Sequence, residues 1–104
     1  MSWLLLALSL QSRYYWPVNV DTLASHGTPH THVSVSGLVT LVRREADGDL
    51  HIKLVGHTGF VVAECVPKLP CRAPRVGERV TVKGISRHDG EHNWWEVHPV
   101  EEGP

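Results

Sequence analysis

Polar and apolar residues alternate from His32 to Ser36, the two-residue period of a strand with one face in a core. Gly37 interrupts, and Leu38–Val42 continues the run. A long strand with a glycine inside it predicts a bend or bulge, as a barrel corner requires. Asp47-Gly48 is a hairpin signal. The next strand, Leu50–Val55, points Leu50, Ile52 and Leu54 one way and His51 and Lys53 the other. Gly56-His57-Thr58-Gly59 turns the chain into a third strand, Phe60–Cys65. Val66–Arg75 holds three prolines and reads as a shaped loop. The fourth strand is Arg79–Ser86, with Val80 and Val82 inward, Arg79, Thr81 and Lys83 outward to solvent, and Gly84 at a second bend. Arg87–Asn93 is a polar loop, Trp94–Val100 the fifth strand, and Glu101–Pro104 an acidic tail. Five short strands with two bends predict an all-β, five-stranded OB-like Greek-key barrel over residues 32–104. The Val66–Arg75 interval, where such barrels often place a helix, is too short and proline-rich for a full one.

Residues 1–31 read as an apolar and aromatic lead-in. Trp3–Leu8 has the length of a signal-peptide core but lacks preceding positive charge, since Arg13 follows it. A short docked helix or strand is the other reading, so the location is left open between cytoplasmic and exported. Tyr14, Tyr15 and Trp16 can anchor the lead-in by burying rings, and Asp21 can cap a single helical turn at Asp21–Ala24.

Composition narrows the function. The chain has 104 residues, which favours one core, and 41% hydrophobic residues, which excludes a disordered tail. No stretch approaches the roughly 20 apolar residues of a spanning helix. Ten basic against eleven acidic residues, a net charge of −1, weakens any expectation of tight, charge-driven duplex DNA binding. Eight histidines keep a metal role open.

The candidate chemistry lies on the strands and their loops. Parity puts Trp94, Glu96 and His98 on one face and Trp95, Val97 and Pro99 on the other, with Trp95 and Val97 filling the interior. Glu64 shares parity with Phe60 and Val62. A carboxylate drawn into partial burial must be paired or its pKa rises. Pairs between Glu64 and His98, or Glu96 and His51, satisfy that, and Glu64, Glu96 and His98 read first as a structural polar network. The two loops beside an OB binding face carry Asp47, Asp49 and His51, and His88, Asp89, Glu91 and His92. Of these, Asp47, Asp49, His51, His88 and His92 are candidate ligands of a divalent metal. Asp47-Gly48-Asp49 is also simply what a tight turn prefers. His26, His30 and His32 form a second set, read first as a polar approach to the barrel. Cys65 and Cys71 bracket V-P-K-L-P, and a disulfide and two free thiols both stay open. No phosphate-binding glycine loop, dinucleotide fingerprint or nucleophile elbow occurs.

Three segments, Glu45–His51 (E-A-D-G-D-L-H), Val62–Pro67 (V-A-E-C-V-P) and Trp95–Val100 (W-E-V-H-P-V), resemble a group of small, mostly uncharacterised bacterial OB-fold-like proteins, and Trp16-Pro17-Val18 is similar too. The resemblance covers about residues 32–100. It implies the fold and that these polar positions act together, and it carries no activity.

The functional expectation is a small non-catalytic OB-fold binding module, with single-stranded nucleic acid as the first ligand and Arg43, Arg44, His51, Lys53 and Trp94 as contacts. Stacking aromatics beside cations hold single strands on such barrels. No cofactor is expected on this reading. The alternative from the enzyme class is a metal-dependent hydrolase or nuclease using Asp47, Asp49, His51, Glu64 and the His88–His92 loop, with a divalent ion as cofactor. A third reading is self-assembly or a protein partner through Trp3–Leu10.

Overall fold

The computed structural model describes residues 13–104, and the expectations for Trp3–Leu10 lie outside those residues. The elements are β1 (Trp16–Pro17), α1 (Val20–His26), β2 (His32–Arg44), β3 (Leu50–Val55), β4 (Phe60–Cys65), β5 (Arg79–Asp89) and β6 (Trp94–Glu102). The sheet runs β2-β3-β4-β6-β5, and β5 pairs back onto β2, so five strands close into a barrel. The β4–β6 pair is parallel and the other barrel pairs are antiparallel, while β1 adds a short parallel strand beside β2. The fold is the expected all-β, OB-like barrel. No helix among the described residues is long and apolar enough to cross a membrane.

The length of β2 lets one strand serve two neighbours. His32–Leu38 pairs with β5 and Leu38–Arg44 with β3. The partners change beside Gly37, and the register slips between Val39 and Leu41. The slip moves the inward parity from the odd positions Val33, Val35 and Val39 to Val42, and Arg43 therefore faces outward opposite His51. The interior fills with alternating aliphatic residues, among them Val35, Ile52, Leu54, Val61, Val82 and Val97.

Three boundaries differ from the sequence reading. β5 continues to Asp89, so Arg87, His88 and Asp89 stand on a strand, because β6 offers them backbone partners at Glu96, Trp95 and Trp94. β6 continues to Glu102, which pairs with Lys83, so the acidic tail is largely sheet. The lead-in helix spans two turns, and its cap is Asn19, whose Oδ1 accepts from the Thr22 N–H at 2.7 Å. Val20 and Leu23 of this helix belong to the barrel core.

Asp21 instead reaches across to the β3–β4 turn. Its carboxylate accepts the backbone N–H groups of His57, Thr58 and Gly59 at 2.9 to 3.0 Å. These bonds favour the ionised form, and the turn's amides hold the Asp21 carboxyl below its ordinary pKa. Asp21→Ala is expected to speed amide exchange at all three positions and lower the melting temperature, with Asp21→Asn falling between. Unchanged exchange in Asp21→Ala, measured by NMR, would show that the turn holds its shape without this clamp.

Cys65 and Cys71 are joined in a disulfide that closes the Val66–Pro70 loop. That loop leans on the β2–β3 hairpin, where Gly48 adopts a φ of 93° and a Cβ would come within 3.0 Å of Pro67.

Candidate metal centre

Outward parity on successive strands assembles a polar row across the barrel wall. Arg43 of β2 lies opposite His51 of β3, and His51 opposite Glu64 of β4. The parallel β4–β6 register pairs Val62 with Glu96, and it brings Glu64 beside His98. Arg87 of β5 pairs with Glu96. The β2–β3 and β5–β6 hairpins rise on either side of this row and make it the floor of a cleft of about 580 Å³.

The floor is densely bonded. The His51 ring bridges two carboxylates, with Nδ1 at 3.1 Å from Glu45 and Nε2 at 3.2 Å from Glu64. His98 Nδ1 is 3.9 Å from Glu64 and 3.8 Å from Glu96, and its Nε2 is 3.9 Å from Asp49. Arg87 donates to His98 Nδ1 at 2.6 Å. Trp94 donates its indole N–H to Glu96 at 2.7 Å while its ring stacks on His92 with centroids 4.4 Å apart. Glu64 and Glu96 are 6% and 1% exposed, too little for water to neutralise two charges. Burial first, then a hydrogen bond to Glu96 and the negative charges of Glu96 and Asp49, push the Glu64 carboxyl up to about 9, against the opposing pull of Arg87.

On the cleft wall, Asp89 accepts from His92 at 2.7 Å. That bond, with the backbone N–H groups of His92 and Glu91, lowers Asp89 to about 2 despite some desolvation, and it raises the His92 pKa. Asp47 is committed to its turn, where Oδ1 accepts the Asp49 N–H at 2.9 Å.

Among the described residues, the group whose donor atoms converge is Asp49, Glu64 and His98, all within 4.8 Å of one another. A first-row divalent ion bonded at about 2.1 Å holds its ligands roughly 3 Å apart. The three donors therefore need to contract by less than about 2 Å, within the reach of side-chain rotation. Two carboxylates and one imidazole suit Zn²⁺ or Mn²⁺.

The structure redistributes the residues singled out from sequence. Asp47, Asp49, His51 and His92 line the cleft, but His88 does not. It sits on the opposite face of β5, edge-on to Trp95 at 5.2 Å, because successive residues of a strand alternate faces. Glu64, Glu96 and His98 do form one network, and two of them belong to the converging triad. Of the nucleic-acid contacts, Arg43, His51 and Trp94 line the cleft. Arg44 instead bonds the Gly48 carbonyl, and the Lys53 ammonium lies 4.3 Å over the Phe60 ring. His26 bonds Ser25 and His32 faces Tyr15 and Glu101, so the lead-in histidines do not converge. Sequence reasoning missed Arg87, assigned to a loop, and Glu45, quoted only as part of a motif. The parity of Arg87 with Arg79 and Lys83 was visible in the sequence, but its pairing with Glu96 comes from strand order.

No protein-family model matches the chain, and no curated protein matches it.

Proposed function

We propose that this protein binds a divalent metal ion in the cleft of its barrel, through Asp49, Glu64 and His98, and that this centre is its functional site. The observation that carries the reading is the convergence of one imidazole and two carboxylates on the floor of an open cleft. The charge of the cleft supports it. Besides Glu64, whose carboxyl burial pushes up, five carboxylates line the cleft (Glu45, Asp47, Asp49, Asp89 and Glu96) against two guanidinium groups, Arg43 and Arg87. That balance attracts cations and repels phosphate, so it disfavours direct binding of single-stranded nucleic acid unless a metal bridges the two.

Three protein ligands facing an open cleft are the pattern of a catalytic metal, because a coordination position stays available to water. This favours metal-assisted hydrolysis as the reaction class. When bound, the ion would acidify that water. The chain's own part is to hold the ligands, with His51 orienting Glu64 from the side.

The test is a calorimetric titration of the full chain, stripped with chelator, with Zn²⁺ and with Mn²⁺. One bound ion and a melting temperature that rises with metal are expected. Absence of both for either ion would overturn the metal reading. A chromogenic phosphodiester tested with the metal-loaded protein then separates hydrolysis from binding alone.

A further inference from the structure

We propose that Arg87 is a built-in counter-cation, a guanidinium that occupies the charge position of the metal centre and must leave before a divalent ion binds. The inference rests on the metal reading and names how that same site is regulated.

The chemistry of His98 forces the conclusion by either of its two routes. A neutral imidazole has one nitrogen that donates and one that accepts. Arg87 carries only donors, and its Nη1 lies 2.6 Å from His98 Nδ1, so in this structure Nδ1 is the acceptor and Nε2 carries the hydrogen toward Asp49. If the metal binds at Nδ1, it needs the lone pair that Arg87 now uses. If it binds at Nε2, that nitrogen must lose its hydrogen and Nδ1 must gain one, turning Nδ1 into a donor toward Glu64 or Glu96. A donor on Nδ1 cannot face the Arg87 donor. Both routes expel Arg87 from His98.

The surroundings agree. Arg87 Nε stands 3.9 Å from Glu96, and the guanidinium charge acts on Glu64 against the two neighbouring carboxylates. It thus supplies the positive charge that an ion would supply. Glu96, His98 and Glu64 lie against the guanidinium, and the ionisable groups Asp49, His51 and Asp89 line the same cleft. Arg87 can also leave: its side chain is 49% exposed, whereas that of Glu96 is 2% exposed, so the guanidinium can swing to water without unfolding its strand. A positive charge hydrogen-bonded to a ligand of the centre opposes an incoming cation even at a partly screened site.

The experiment compares Mn²⁺ and Zn²⁺ affinity in the parent protein, Arg87→Gln and Arg87→Lys, by calorimetry with chelator-stripped full chain. Arg87→Gln is expected to bind at least tenfold more tightly, and Arg87→Lys to lie between it and the parent. A group that merely supports the site would lower affinity when removed, so a gain separates the two roles. NMR of the His98 ring nitrogens adds a metal-free readout, with Nδ1 the unprotonated nitrogen in the parent protein and released from that constraint in Arg87→Gln. Equal or weaker binding by Arg87→Gln, with the parent binding normally, overturns the counter-cation role and leaves the metal reading standing. If neither protein binds metal, both fall.

Discussion

Asp49→Asn is expected to weaken Zn²⁺ or Mn²⁺ binding about a hundredfold or more, beyond the 10- to 100-fold typical of losing a group that only supports a metal ligand. The substitution keeps shape and removes one ligand charge. Asp49 immediately precedes β3, and the turn bond there is donated by its backbone N–H to the Asp47 carboxylate, so it survives the change. In the metal-free protein Asp49 is one of the negative charges that raise Glu64, so removing it relieves repulsion. Folding stability should therefore hold or rise slightly while affinity falls, a separation that ordinary destabilisation does not produce. His51→Gln provides the graded comparison. Its ring is outside the converging triad but bonds both Glu45 and Glu64, so a tenfold to hundredfold loss is expected, smaller than that of Asp49→Asn. An Asp49→Asn protein whose affinity stays within threefold of the parent would remove Asp49 from the centre.

The second large effect is on the barrel itself. Gly84→Ala is expected to destabilise the fold by about 3 kcal/mol, the upper range for overpacking, because no flexible group lies in the way. Gly84 pairs with Val33 on one side and Val100 on the other, at the point where the β5–β6 register slips. A Cβ there would collide with the Pro99 carbonyl oxygen and lie 2.8 Å from Val97 Cγ1 and 3.0 Å from the Val100 Cα. Two of these three contacts are backbone, and backbone in a closed barrel cannot shift without disturbing its ladder. The neighbouring strand also carries Glu96 and His98, so any accommodation shifts the floor of the cleft and, with His98, one residue of the proposed centre. Gly90 is the control, with nothing within 4 Å of its added Cβ, and Gly90→Ala should stay within about 0.5 kcal/mol. Chemical denaturation of the two variants decides, and a Gly84→Ala midpoint equal to that of Gly90→Ala would contradict the close approach.

Much of the site was present in the sequence as residue types without partners. His51, Glu64, Glu96 and His98 were visible as polar groups on otherwise apolar strands, and the requirement that a buried carboxylate be paired already linked acids to imidazoles. Of the two pairings that requirement suggested, Glu64 with His98 is present, whereas His51 meets Glu45 and Glu64 and not Glu96. His51 meets Glu64 because β3 and β4 are adjacent in register, and His98 meets Glu64 because β6 inserts parallel to β4. Neither neighbour follows from spacing along the chain. The residues expected to hold a metal are divided between two faces for the same reason. His88 and His92 are close in sequence, but His88 stands on β5 against Trp95 while His92, in the turn after it, stacks on Trp94 on the opposite face.

The sequence by itself determined the strands, the bend in the first long one, the turn chemistry at Asp47-Gly48 and the aliphatic interior. Those depend on local backbone preference and on a two-residue period, which a single stretch of chain records. The tertiary structure decided the order in which the strands close, the full extent of β5 and β6, the attachment of α1 to the core and the meeting of Arg87 with His98. Each of these depends on a partner element that a segment's own pattern does not name, and the partners are fixed when β2 to β6 close into a barrel.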